Sequence, residues 1–362
     1  MIYLLMFTLS CIGAYNVNRV STFLQKVLYS LVVLLSAVLF GLRDKSIGTD
    51  TGGYVYGLFS SICNCSSFNT LSSFTDLEFL YMQWNIFASS ISCDFNLFLF
   101  LTGLLMYGVF YYSFFKERKK ISIAFALCIF FFVFYNASYN ALRQYMALAF
   151  CMVGFSMLME EKYKMSVCCT LIAYGFHQTA FLFIPVILLK IVAFKYYHIL
   201  SSRKIRAVFV TILAGCLMSF SYILSFFEKL GMDDKYSLRY GSSDMYGASF
   251  PISIFSLCVV NLIVFYSAEK KYYDATSCFF EYVMISSTVL CFAGLISVFA
   301  TRMNLYYLIC SCIIIPFIFR NYILPFKVKI GYILFIFMYW FLTVVVVNLS
   351  DTFPYRSKIL GM

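Results

Sequence analysis

Long apolar runs follow one another along this chain, separated by short polar loops, and the runs are apolar on every face rather than along one stripe. A helix at the surface of a soluble protein keeps a polar face. One that is apolar all round is buried in a large core or in a bilayer. The runs fall near residues 2–15, 27–42, 95–115, 121–136, 139–159, 165–176, 178–190, 207–227, 249–268, 279–300, 303–319 and 329–349. They predict an all-α, polytopic membrane bundle of about twelve hydrophobic segments, since an upright crossing takes ~20 apolar residues. The segments 165–176 and 178–190 are too short for that and predict a hairpin or a re-entrant pair folded around Gly175–His177. The stretch 77–92 is also short, contains Glu78 and is rich in aromatics, which suits a helix lying on the membrane surface. Ile2–Tyr15 has no basic residue before it, and Arg19 and Lys26 follow it. That is the wrong polarity for a cleaved signal, so it is expected to be a first span entering from outside.

Composition agrees. The 362 residues are 62% apolar and 12% charged, about half the ~25% charge of a soluble domain. The chain is therefore expected to be a single transmembrane domain over 1–362. The net charge of +11 would suggest nucleic acid in a soluble protein; here it reads as positive-inside bias, with the bilayer as partner and no nucleic acid. Basic residues collect in alternate loops, around Arg19 and Lys26, Lys116–Lys120, Lys162–Lys164, Lys190–Arg206, Lys270–Lys271 and Arg320–Lys329. Taking these as inside puts both termini and the segments 43–94 and 228–248 outside. Counting 77–92 as a span would move Lys116–Lys120 outside, so the surface reading is preferred. Of the 14 cysteines, most lie in apolar runs and serve as small hydrophobes. Cys63, Cys65 and Cys93 lie in the first outside segment, where a bridge is open. Two histidines and no CxxC or HExxH motif predict no protein-held metal and no cofactor.

The candidate chemistry lies on the outer side of this map. After the second run, GLRDKSIGTDTGGY carries Arg43, Thr49, Asp50 and Tyr54. One reading is a polar turn with Thr49 or Asp50 as a helix cap and Arg43 reaching the headgroups. The other is a loop that binds an anionic or hydroxyl-rich ligand. Arg143, followed by Gln144, stands about one turn into an apolar helix. A guanidinium there requires a partner, which is either an interhelical carboxylate or a diphosphate gripped by its planar fork. His177, in YGFHQTAF, is either a hydrogen-bonded structural residue or an acid–base group, with Gly175 relaxing the backbone beside it. Arg302, in FATRMNLYY with Tyr306 close behind, either anchors the interface or joins Arg143 around the same anion.

Together, RDxxIGTDTxxY after the second span, NxxRQxxA at the start of a middle helix, FHxxA before a proline, ATRxxxYY near the end and the tail FPYRSK resemble the EpsG family of Wzy-like polysaccharide polymerases. The resemblance runs from about residue 40 to 310, with the tail beyond. It implies a membrane glycosyltransferase that joins repeat units carried on undecaprenyl diphosphate, donor and acceptor alike, at the outer face of the bacterial cytoplasmic membrane, for an O antigen, capsule or exopolysaccharide. A chain-length regulator is an expected partner. On that reading Arg43, Arg143 and Arg302 stabilise the diphosphate, His177 or Asp50 serves as base, and Thr49, Tyr54, Gln144 and Tyr306 support the glycan or the loop. Three rivals stand beside it. An O-antigen ligase shares the donor chemistry, but the 228–248 loop is modest for one. A polysaccharide-modifying acyltransferase would carry an earlier histidine, and a transporter would place charges along the midplane.

Overall fold

The computed structural model describes residues 2–15, 17, 20–64, 77–229, 251–269, 273–295 and 302–361. Cys65 and, from residue 230 on, the 228–248 segment lie outside them. The chain forms an all-α bundle as its pattern predicts. α1 (Ile2–Tyr15) and α2 (Thr22–Gly41) lead into a π turn at Thr51–Val55 and α3 (Tyr56–Asn64). α4 (Phe79–Ile91) and α5 (Phe95–Lys116) follow, then α6 (Ile123–Ile129), prolonged by a π turn over Phe130–Tyr135. The middle holds α7 (Leu142–Met159), α8 (Tyr163–Phe176), a 3-10 turn at Gln178–Phe183 and α9 (Ile184–Leu200). α10 (Arg203–Lys229), α11 (Ile252–Ser267), α12 (Ala275–Leu290), α13 (Ser311–Asn321) and α14 (Phe326–Trp340) complete it.

Among the described residues, 6 helical stretches are long and apolar enough to cross a bilayer: Thr22–Gly41, Phe95–Lys116, Leu142–Met159, Gln178–Leu200, Ala275–Leu295 and Phe326–Val346. One boundary differs instructively from the sequence reading. The segment expected at 178–190 runs on to Leu200, because Lys190 does not end the helix: its ammonium lies 5.3 Å from the Phe279 ring and 5.8 Å from Phe194. A lysine whose charge rests against ring faces is tolerated inside an apolar helix. α4, at 13 residues, is about 20 Å long, short of the ~30 Å hydrocarbon core.

α7 and α12 form the interior, each 78% buried over its apolar window against 22% for the stretch containing α14. Aromatic rings fill the space between α1, α6 and α14. Phe7 stacks on Phe131 at 4.8 Å and meets Trp340 edge-on at 6.0 Å. Among the described residues, the basic loops at 116–120, 160–164 and 320–329 gather at one end of the bundle. There Lys116 pairs with Glu160, and Arg320 donates to the carbonyls of Arg118 (2.9 Å) and Ile121 (2.8 Å).

At the opposite end the tail is a strap. The Asp44 amide donates to Arg356 O and the Gly48 amide to Asp351 O, both at 2.9 Å. The Asn140 amide group donates to Ser350 O (2.9 Å), and Tyr355 and Ser357 donate to the carbonyls of Leu39 (2.8 Å) and Leu42 (2.5 Å). Gly48 takes φ +89°, and a Cβ on it would lie 2.7 Å from Asn140 Oδ1. Only glycine meets both demands. The loop that begins at Leu42 is thus held on one side by α7's approach and on the other by the tail.

Candidate functional site

Arg143 is the second residue of α7, and how that helix begins decides where the arginine points. The chain turns sharply at Ala141 (φ 19°, ψ 39°). The Ala141 amide, one of the free donors at a helix start, donates to Asp50 Oδ2 at 3.1 Å. Asp50 therefore caps α7 from another segment rather than the helix that follows it, where its side chain makes no cap bond. A carboxylate at a helix N-terminus is favoured by the helix dipole.

The Arg143 side chain extends to Glu78, Nη1 to Oε2 at 2.6 Å. The other carboxylate oxygen receives His177 Nδ1 at 2.7 Å and the Gln178 amide at 3.3 Å. Glu78 immediately precedes α4 and is 8% exposed. Its approach depends on Gly175 of α8. A Cβ on that glycine would meet Leu80 Cγ at 2.6 Å, so Gly175 serves by its lack of a side chain and not by relaxing the backbone beside His177. Burial alone would raise the Glu78 carboxyl, but the hydrogen bond from His177 and the Arg143 guanidinium outweigh it and lower the pKa to about 2. An ionised carboxylate only accepts hydrogen bonds. His177 must then carry its proton on Nδ1 when neutral, leaving Nε2 for a partner on its other side.

Beside this triad lies a cavity of about 60 Å³ lined by Asp50, Tyr54, Arg143, Gln144, His177 and Arg302, with Val55, Ala141 and Leu142 between them. Tyr54 puts its ring 5.0 Å from the Arg143 guanidinium. Gln144 donates to Arg302 O at 2.9 Å, which ties the start of α7 to the segment before α13. Arg302 is itself exposed.

Three candidates stand elsewhere. Arg43 is 1% exposed, its guanidinium 3.7 Å from the Phe40 ring and 4.4 Å from Tyr139. It donates to Thr51 Oγ1 (3.3 Å) and Phe40 O (3.2 Å). It props the 48–51 turn from beneath and does not line the cavity. Thr49 is exposed on that turn. Tyr306 is buried behind the cavity, its hydroxyl 2.8 Å from Thr179 Oγ1 in the turn after His177. Glu78 is the residue that sequence reasoning did not place in the site, although it is the one acidic residue of 77–92. Cys63 and Cys93 are joined, with Cα atoms 5.8 Å apart, which ties α3 to the turn between α4 and α5. Among the described residues no three His, Cys, Asp or Glu side chains gather as a metal cradle would.

The molecule is thus a polytopic helical membrane protein with a charged cavity at the end of the bundle away from its basic loops. The chain belongs to the EpsG family, a family of Wzy-like polymerases whose model matches residues 26–357. Its general activity is therefore of the membrane polysaccharide polymerase type. No curated protein and no solved structure matches it.

Proposed function

We propose that this cavity transfers a growing glycan from a polyprenyl diphosphate to the next lipid-linked repeat unit, at the outer face of the bacterial cytoplasmic membrane. The observation that carries the reading is convergence. Asp50, Tyr54, Arg143, His177 and Arg302 come from four separate stretches of chain and line one cavity of about 60 Å³, with two guanidinium groups beside an imidazole. In the reaction, an acceptor hydroxyl oxygen bonds to the anomeric carbon as the bond from that carbon to the diphosphate oxygen breaks. The hydroxyl proton passes to His177 Nε2. Glu78, which accepts from Nδ1, holds the ring in that tautomer and balances the imidazolium that forms. The leaving diphosphate carries the developing negative charge, which Arg143 and Arg302 are positioned to stabilise. Tyr54 offers a ring face to a sugar.

Two observations support the outer orientation: the basic loops lie at the other end of the bundle, and the Cys63–Cys93 bridge lies on the site's side, as expected in an oxidising compartment. A cysteine at Thr49 should react with an impermeant thiol reagent in intact spheroplasts, and one at Lys119 should not.

The reaction itself is tested by deleting the gene in the producing strain and sizing the surface glycan. Single repeat units without the longer ladder are expected. Loss of all transfer to the lipid core, single units included, would point to ligation instead. An intact ladder lacking one substituent would point to a modifying enzyme.

A further inference from the structure

The opposite end of the bundle carries a second charged site, and the geometry points to it as a binding groove for an anionic phospholipid in the leaflet that faces the basic loops. The groove holds about 500 Å³ between α10 and the pair α11–α12, and its lining includes Arg203, Arg206, Val210, Thr211, Tyr266 and Ile285. Charge is concentrated at one end of it and apolar wall follows. Arg203 and Arg206 lie in the first turn of α10. From Arg203 to Thr211 the helix rises about 12 Å, close to the ~15 Å of one leaflet's hydrocarbon.

The head end is preorganised. Arg206 gives Nη1 to Glu281 Oε1 at 2.5 Å and Nη2 to Ser201 O at 2.9 Å. Glu281, 0% exposed, also accepts from the hydroxyls of Tyr266 and Tyr273. One carboxylate thus fixes the Arg206 fork, and a guanidinium with five donors keeps some in reserve. Arg203 is exposed, and among the described residues no carboxylate pairs with it, so the mouth of the groove is left cationic. That favours a phosphate. The neighbouring flank of α10 is apolar and open, with Val208 52% and Ile212 60% exposed. A soluble anion would leave that wall uncovered, whereas a phospholipid covers both. Basic pockets between helices on the inner side are where acidic lipid headgroups bind. The inference is independent of whether the cavity at the far end transfers glycan.

The test is native mass spectrometry of the detergent-purified full chain, titrated with phosphatidylglycerol or phosphatidylcholine. Phosphatidylglycerol should be retained about tenfold better, and Arg203→Gln should remove most of that preference, as expected for one charge-assisted contact. Arg206→Met alone would strand Glu281, so Arg206→Met is combined with Glu281→Met and should likewise lose the preference. Lys119→Ala, in another basic loop, should keep it. In the unaltered chain, phosphatidylglycerol should also protect Arg203 from phenylglyoxal. Equal retention of the two lipids, an unchanged preference in Arg203→Gln, or reaction of Arg203 at the same rate with and without lipid would overturn the proposal. Displacement of phosphatidylglycerol by inorganic phosphate would overturn it too, in favour of a simple anion site.

Discussion

Both ends of this bundle centre on a buried glutamate that holds an arginine, yet the two clusters are built for different work. Around Glu281 the partners are an arginine and two phenols: Arg206, Tyr266 and Tyr273 all donate to one carboxylate that is 0% exposed, and Arg206 and Tyr266 also line the groove beside α10. Around Glu78 the arginine shares its carboxylate with an imidazole instead. Arg143 and His177 share the carboxylate, but both also line a cavity that reaches Arg302 and Asp50. An ion pair within a membrane bundle therefore says little by itself. What distinguishes the two clusters is what shares the carboxylate with the arginine, an imidazole at Glu78 and two phenol hydroxyls at Glu281.

Removing one partner of a buried pair costs roughly 3–5 kcal/mol, and at Glu281 two phenol hydroxyls lose their acceptor as well. Glu281→Ala should accordingly give the largest effect, a collapse in folded yield and thermal stability in detergent. Adding Arg206→Met should restore much of the loss. Glu78→Ala should cost less stability, since only one arginine and one imidazole lose their acceptor there and both can turn to the cavity, while polymer formation fails. Equal destabilisation by the two alanines would erase the distinction.

Next in size is the planar fork. Arg143→Lys keeps the charge but loses bidentate geometry, and should cost about 10- to 100-fold in activity, the weight of a lost charge-assisted contact of roughly 1.5–3 kcal/mol. Glycan chains should shorten before they disappear. His177→Ala should behave similarly, with His177→Gln keeping a little activity if position matters more than proton transfer. Arg143→Lys with the ladder of the unaltered protein would make Arg143 a structural partner of Glu78 and nothing more.

A smaller effect is expected from acid. The Glu78 carboxyl is held at about 2 against an ordinary 4.5, so the stability it contributes is fully present above pH 4.5 and is lost as pH falls toward 2. Unfolding temperatures across that window should fall less steeply in Glu78→Gln than in the unaltered chain. Parallel curves would deny the coupling. Least of all, Lys119→Ala in the solvated basic loop should leave chain length and stability unchanged.

Much of this was legible in the sequence, and the gaps have physical causes. Long apolar runs and loop charge point to the bundle and its two ends, since a bilayer imposes both on the chain directly. Arg143 and His177 stood out because a charge in an apolar run is costly and so is present for a reason. Their partner did not stand out. Glu78 precedes a short helix 65 residues from Arg143 and 99 from His177, and no periodicity encodes which helices touch. Arg43 shows the converse limit. A guanidinium in a polar turn looks the same in sequence whether it meets a ligand or stacks on Phe40 and Tyr139. The reach of the helix past Lys190 is hidden for a similar reason, as the ring faces that carry its charge lie partly on another helix.

The tail strap has a consequence in time. Residues 350–357 supply the carbonyls and hydroxyls that frame the loop from Leu42 to Gly48, and a ribosome makes them after every membrane segment described above. The Asp50 loop, though translated early, therefore lacks its full frame until the rest of the bundle has been threaded into the bilayer. A nascent chain stalled before residue 350 would carry Asp50 on a loop without the tail that holds it. The loop after the second span is thus completed by the last residues to be made.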